Sequence, residues 1–445
     1  MSNGELKTGL WERSGRLLGM ASRVAGQELR HGLRKRLAAT AEARLRDEVT
    51  TRVAQARILT QSLGELKGAA MKAGQLLSID AGDLLPDEAS AVLAKLQRHA
   101  DPVPFQVIAD VLLDELGPAR LARLEGLETI PAAAASIGQV HRARVEGRPV
   151  AVKVQYPGIA DTIDSDMRLL EKLADSWLVL TRSRIEIEET FEEMRSILHL
   201  EADYEAELRH LQAFHAHLRD DDRFVVPTPY PELSTARVLT MSWEEGTALG
   251  DWIARGPGPD QRHRLASSVL ELYCSEFFRW GLVQTDPNHG NFLVRDDGRI
   301  VLLDFGATLS YDEGFRETYV ALLRRLARGD VERTIDTGIA FGILDPREPE
   351  EARQLFAEML FSAVEPFRAD LQPFRFRDEV YAARSRDVAI RFTRSLRYSP
   401  PPRKLLFLHR KLGGIFQLLR RLDVTLDLRP YWGRMVGISP SSQAA

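Results

Sequence analysis

The sequence predicts an α+β protein of two lobes: a helical N-terminal extension, a small lobe built around a β-hairpin, and a largely helical C-terminal lobe. Three observations carry this. From Leu45 to Leu113 apolar residues recur at three- and four-residue spacing with few β-branched runs, the signature of amphipathic helices. Beyond Gly126 the texture turns to β, with Ala143 to Val145, a Glu146-Gly147 turn and a buried-looking Val150 to Val154. After Asp312 nearly every segment is again helical in pattern. A chain of 445 residues, 44% hydrophobic and 28% charged, has the composition of a folded protein and the length for two or three core-sized units.

Taken in order, residues 1–40 form a basic segment in which Lys7, Arg13, Arg16, Arg23, Arg30, Arg34, Lys35 and Arg36 face only Glu5, Glu12 and Glu28. Leu10, Trp11, Leu17, Leu18, Met20, Val24 and Leu29 lie among those cations, so the segment reads either as a basic amphipathic helix on an anionic membrane surface or as a partly ordered tail. Residues 41–125 are the helical extension, interrupted at Pro86 and at Asp101 to Pro104. The small lobe, 126–243, holds the hairpin, helical stretches over Asp166 to Leu180, Thr190 to Leu200 and Asp203 to Leu218, and a strand over Val238 to Ser242. Glu244-Glu245-Gly246 reads as a turn or linker into the last lobe, 244–445. There Leu265 to Trp280 is a predicted helix, and two short strands flank Asp296-Asp297-Gly298.

Composition also excludes. A formal net charge of −4 gives no electrostatic case for nucleic acid as a partner. The single cysteine, Cys274, cannot form an internal disulfide, and no Cys/His cluster has zinc-ligand spacing. Apolar runs such as Trp177 to Leu180 and Val301 to Leu303 stop far short of the ~20 residues of a membrane-spanning helix. The N-terminus lacks an apolar signal core, so the expected location is cytoplasmic, with a peripheral association on the inner face of the cytoplasmic membrane if the basic segment binds lipid.

The most informative segment runs from Gln284 through Thr285, Asp286, Pro287, Asn288, His289 and Gly290 to Asn291, and is followed by Asp304-Phe305-Gly306. Asp286, Asn291 and Asp304 reproduce the order and spacing of the H-R-D-L-x-x-x-N and D-F-G signatures of protein kinases. Phosphoryl transfer asks for these groups: an acid facing the attacking oxygen, and an amide and a second carboxylate as oxygen ligands for Mg²⁺ bridging the phosphates. Gln284-Thr285 stands where kinases carry His-Arg, which removes the arginine that pairs with an activation-loop phosphate. His289 reads as an exposed loop histidine.

Upstream, Ala133, Ala134, Ala135, Ser136, Gly138 and Val140 lie under the kinase pattern G-x-G-x-x-G-x-V, with Ala133 and Ala135 in place of the first two glycines and Ala132 just before them as a further candidate nucleotide contact. Alanine adds a methyl where the chain must pass close to phosphate, so nucleotide should be held differently from an ordinary kinase. Without the downstream lysine the same stretch would read as a short helical start. Lys153, ending Val150-Ala151-Val152-Lys153, is the candidate phosphate lysine, and Met241 and Trp243 occupy the expected adenine hinge.

Together these segments resemble the UbiB/AarF family of atypical protein-kinase-like proteins, particularly members that support ubiquinone (coenzyme Q) biosynthesis. Lys72-Ala73-Gly74-Gln75 matches the K-x-G-Q motif, Pro131 to Ser136 the Ala-rich loop, Glu201-Ala202-Asp203 the E-x-D motif, and Gln284 to Asn288 the catalytic loop. Similarity continues through Val152 to Gly158, Leu303 to Thr308 and Leu408 to Gly414, over roughly residues 60 to 435 in order. The resemblance implies a bilobal protein-kinase-like fold, with Lys153 as nucleotide lysine, Glu207 as its helix partner, Asp286 as catalytic acid, and Asn291 and Asp304 on metal. It also implies that Lys72 and Gln75 lie on a helix folded over the site where a kinase places its peptide, with Lys72 reaching Glu201. Glu201 and Asp203 are two apart and do not share a helical face, whereas Asp203 and Glu207, four apart, do.

The activity this implies is Mg²⁺-dependent binding and slow hydrolysis of ATP, with ADP as product, supporting ubiquinone or related isoprenoid-lipid biosynthesis at a membrane surface. Its partners would be nucleotide, anionic lipid, and biosynthetic proteins or lipid intermediates. Two other functions fit the same residues: a true small-molecule or protein kinase, and a nucleotide-binding pseudokinase switch.

Overall fold

The computed structural model describes residues 103–135, 137–168, 171, 188–286, 288–398 and 403–437. Residues 1–102, with Lys72, Gln75 and the basic segment, as well as Ser136 and Pro287, lie outside them. In chain order the elements are α1 (Phe105–Leu121), β1 (Ala133–Ala134), β2 (Gly138–Val145), β3 (Arg148–Gln155), a helical stretch over 159–168, α2 (Glu188–Glu201) and α3 (Tyr204–Leu218). Next come β4 (Phe224–Val225), β5 (Val238–Ser242), β6 (Thr247–Ala248), α4 (Leu249–Ala254), α5 (Pro259–Cys274), β7 (Leu282–Gln284), β8 (Phe292–Val294), β9 (Ile300–Leu302) and β10 (Thr308–Ser310). The chain ends with α6 (Glu313–Ala327), α7 (Val331–Ala340), α8 (Glu350–Val364), β11 (Phe374–Arg375), α9 (Glu379–Ser395), α10 (Arg403–Arg421), β12 (Thr425–Leu426) and α11 (Arg429–Met435).

Two compact units divide the described residues, one of those up to 209 together with 228–243, the other of 210–227 and those from 244 onward. The first is built on an antiparallel sheet of order β1-β2-β3-β5. Its β2–β3 hairpin turns on Glu146 and Gly147, both at positive φ, the pairing that matches a two-residue connection to the twist of its strands. Val150, Val152 and Val154 alternate along β3 and so share one fully buried face, while Ala151 and Lys153 between them are buried on the other. Helix α1 extends past the predicted Leu113 and breaks at Gly117, which takes a left-handed φ just before Pro118.

In the second unit β4-β9-β8-β6 form one sheet, while β10-β7 and β11-β12 are two-stranded ribbons. The β11–β12 ribbon corrects the expectation that the region after Asp312 is almost wholly helical: Phe374 pairs with Leu426 across the last lobe, and both are buried. The predicted helix Leu265 to Trp280 also changes. It starts earlier, at Pro259, where the fixed φ of proline suits a first turn, and its final stretch Ser275–Trp280 is a π-helix closed by Gly281 at φ +67°. A side chain at Gly281 would meet the Tyr311 carbonyl at 2.6 Å, so close backbone approach requires glycine there.

Candidate active site

In the first unit the site is built around β3. Lys153 stands opposite Val140 on β2 and Leu239 on β5, and its Nζ donates to both carboxylate oxygens of Glu207 at 2.7 and 2.8 Å. Glu207 is fully buried, and the Lys153 ammonium lies 4.9 Å from the centre of the Tyr204 ring, also fully buried. Asp203 does not share a helical face with Glu207. It precedes α3 as its cap, accepting from the Ala206 N–H at 2.8 Å through Oδ1 and from the Glu207 N–H at 2.9 Å through its carbonyl. Glu201, the buried last residue of α2, sits across the turn. The turn is tied to β3 by Gln155, whose Nε2 donates to the Ala202 carbonyl at 2.6 Å.

The Ala-rich stretch is a short strand rather than a helical start. Ala133 and Ala134 pair with Val140 and Gln139 while their side chains remain exposed. The N–H groups of Ala132 and Ala135 are spent on the Val140 and Gly138 carbonyls, so this backbone is stiffer than a glycine loop. Gly138 has a packing reason to be glycine: a Cβ there would lie 2.3 Å from the Val154 carbonyl oxygen and 3.0 Å from the Tyr204 hydroxyl. At the hinge, Met241 is buried in register with Ala151, and the Trp243 N–H donates to the Pro149 carbonyl at 3.0 Å. That donor is therefore committed to the sheet, and the Trp243 ring carries the Arg142 guanidinium at 4.0 Å.

In the second unit the segment from Gln284 to Asn291, the candidate catalytic loop, is folded on itself. Asp286, 9% exposed, accepts from Asn291 Nδ2 at 3.1 Å and from the Asn288 N–H at 3.2 Å. Thr285 donates both its N–H and its hydroxyl to the Ala307 carbonyl, each at 2.8 Å. The Asn291 carbonyl accepts from the Leu303 N–H at 3.0 Å, and this bond from the β8–β9 hairpin brings Asn291 beside the Asp304 segment. Asp304 Oδ1 accepts from the Gly306 N–H at 2.9 Å, and Phe305 is buried 5.0 Å from the Phe214 ring. His289 is half-buried rather than exposed. Its Nδ1 is 2.9 Å from Arg421 Nη1, and burial and that guanidinium hold its pKa down to about 4, so the ring is neutral and accepts from Arg421.

The donor set fits Mg²⁺. With Asn291 Nδ2 bound to Asp286, its amide oxygen is the end left for a cation, and Asp304 adds a carboxylate; hard oxygen ligands of this kind, few in number, suit an ion that takes its other ligands from phosphates and water. Among the described residues no cluster of three or more His, Cys, Asp or Glu side chains could hold a metal.

Sequence reasoning missed Tyr204 beneath Lys153, and it missed a buried group behind Gln284 formed by Glu276 and Lys411. The only trace of the second was Lys411 within Leu408 to Gly414, noted without a role. No helix among the described residues is long and apolar enough to cross a membrane.

Residues 95–337 match the ABC1 atypical kinase-like domain. The chain is 34% identical over 373 residues to the atypical kinase COQ8, mitochondrial, of Saccharomyces cerevisiae, covering 83% of this chain and 73% of that protein. To the atypical kinase COQ8B, mitochondrial, of Rattus norvegicus it is 33% identical over 378 residues, covering 84% and 71%. Among solved structures it is similar to the complex of Rv3197 with erythromycin from Mycobacterium tuberculosis, at a TM-score of 0.58 and 28% identity, covering 88% of this chain and 98% of that one. The architecture is accordingly a bilobal kinase-like fold, and the chain belongs to the ABC1 atypical kinase-like family.

Proposed function

We propose that this protein is a Mg²⁺-dependent ATPase of the atypical kinase-like class that supports ubiquinone or a related isoprenoid-lipid biosynthesis at a membrane surface. The observation that carries the phosphoryl chemistry is the grouping of Asp286, Asn291 and Asp304 within one unit by the hydrogen bonds around Asn291. Lys153, held by Glu207, would bind the α- and β-phosphates, and Asn291 and Asp304 would hold Mg²⁺, which neutralises charge developing on the transferred phosphoryl group. Asp286 would orient the attacking water and accept its proton. With Asn291 Nδ2 and the Asn288 N–H as its donors, it is kept as an acceptor with a set direction. The stiffened Ala132 to Ala135 backbone supports a nucleotide grip unlike that of a glycine loop. The lipid-pathway assignment rests on the resemblance to the UbiB/AarF family, and the membrane on the basic residues 1–40.

The test is phosphate release from ATP by the full chain, with and without Mg²⁺, anionic liposomes and a phenolic quinone-precursor mimic. Asp286→Asn should lower turnover by roughly 10²- to 10⁴-fold with nucleotide still bound. Equal turnover in the variant would sink the catalytic reading and leave a nucleotide-operated switch. Stoichiometric transfer to an added acceptor would make the protein a true kinase instead.

A further inference from the structure

Directly behind the catalytic segment lies a charged group that the proposed chemistry does not use. Lys411 on α10, 4% exposed, donates from Nζ to Gln284 Oε1 at 3.1 Å and lies 3.3 Å from Glu276 Oε2. Glu276 is 1% and Gln284 5% exposed, so three polar side chains from a helix, a π-turn and a strand meet inside the core. Burial pushes the Glu276 carboxyl up to about 7, against the pull of Lys411 and of the Gln284 backbone N–H.

Stability does not account for such a group. Each buried ion costs on the order of several kcal/mol in desolvation, and apolar side chains of similar volume would hold the same space at least as well. Geometry does account for it. Thr285 spends its N–H on Ala307, and antiparallel pairing alternates, so the Gln284 N–H, opposite Thr308, is turned away from β10 and toward Glu276. On the side chain, an ammonium has three donors and no acceptor, so only the amide oxygen of Gln284 can face Lys411. Gln284 is thus held by main chain and side chain at once, two residues before Asp286. Gln284 Nε2 makes no hydrogen bond among the described residues, and Glu276 Oε2 has only the 3.3 Å ion contact with Lys411 in place of a well-formed hydrogen bond, a cost carried in the core at a place where orientation is gained. The π-turn that brings Glu276 inward is itself a feature frequent at functional sites.

We propose that Lys411 and Glu276 form a buried mount that sets the direction of the Gln284-Thr285-Asp286 segment, making both of them positioning residues for phosphoryl transfer. The inference rests on the proposed phosphoryl chemistry for its kinetic consequence and on geometry alone for its structural one, and both are tested in the full chain. Lys411→Met removes the ammonium at similar volume. Gln284→Met keeps the Lys411–Glu276 pair and removes only the amide, so it carries the test if the first variant does not fold.

Turnover of ATP should fall roughly 10- to 100-fold in kcat while KM for ATP stays within about twofold. Amide hydrogen exchange should accelerate at Thr285, Asn288 and Asn291 and remain unchanged elsewhere in the chain. A variant that merely loses thermal stability, with wild-type kcat or wild-type exchange over 284–291, overturns the proposal. If the wild type itself releases no phosphate, the ATPase reading fails on its own, and the exchange result still decides for or against the mount.

Discussion

Among the described residues each unit buries a lysine–glutamate pair, and the pairs differ in how completely they are satisfied. In the first, Lys153 reaches both oxygens of Glu207 at 2.7 and 2.8 Å over the face of Tyr204. In the second, Lys411 stands 3.3 Å from one oxygen of Glu276 and gives its hydrogen bond to Gln284 instead. Lys153, at 9% exposure, is the ammonium proposed above to meet a phosphate. A poorly paired one at 4% exposure reaches no ligand and acts only on the chain around it. Under the two proposals the same pair of residue types would serve binding in one unit and orientation in the other, and hydrogen-bond completeness separates them.

The largest effect expected from breaking this contrast comes from Lys153→Met. It leaves Glu207 buried without its cation, which should cost about 3–5 kcal/mol of unfolding free energy by chemical denaturation and abolish nucleotide turnover. Retention of both would show that Glu207 draws its stability from other partners. A smaller effect separates the pairs by pH. The folded-state pKa of Glu276 lies near 7 against an ordinary 4.5, so between those values the folded state holds the proton that the unfolded state has released. Its contribution is complete below pH 4.5 and is lost as pH rises to about 7; Glu276→Gln should remove that part of the decline in a denaturation series, and an unchanged slope would place the ionisation elsewhere. Smallest is Asp203→Ala, which removes the cap of the helix carrying Glu207. About 1 kcal/mol should be lost, with a modest rise in KM for ATP as Glu207 loosens; no change in either would mean that the Gln155–Ala202 bond fixes the helix start alone.

Much of the fold was legible because its signals are local. The Val150 to Val154 run, the two-residue turn at Glu146-Gly147 and the strand Val238 to Ser242 follow from side-chain period and turn chemistry, and each stands where it was expected. Helix ends were less legible. Nothing in the pattern of Leu265 to Trp280 distinguishes a final α-turn from the π-turn that swings Glu276 inward, because both bury apolar residues at similar spacing. Asp203 was placed on a helical face since four-residue spacing cannot tell a first-turn residue from the cap before it. Gly138 resembled a phosphate-loop glycine, and only the distance to the Val154 carbonyl reveals its packing role.

By itself the sequence determined the order of the chemistry: an acid, an amide and a second carboxylate at close spacing, and a lysine on a buried strand, because turns, strands and short loops are encoded by neighbouring residues. Even the Lys153–Glu207 pairing, across 54 positions, was readable only through likeness to a known arrangement. Tertiary structure alone decided which polar groups meet in the core. Lys411 joins Gln284 across 127 positions through the packing of a helix behind a strand, and no local periodicity encodes a contact whose partners are chosen by how the elements fill space.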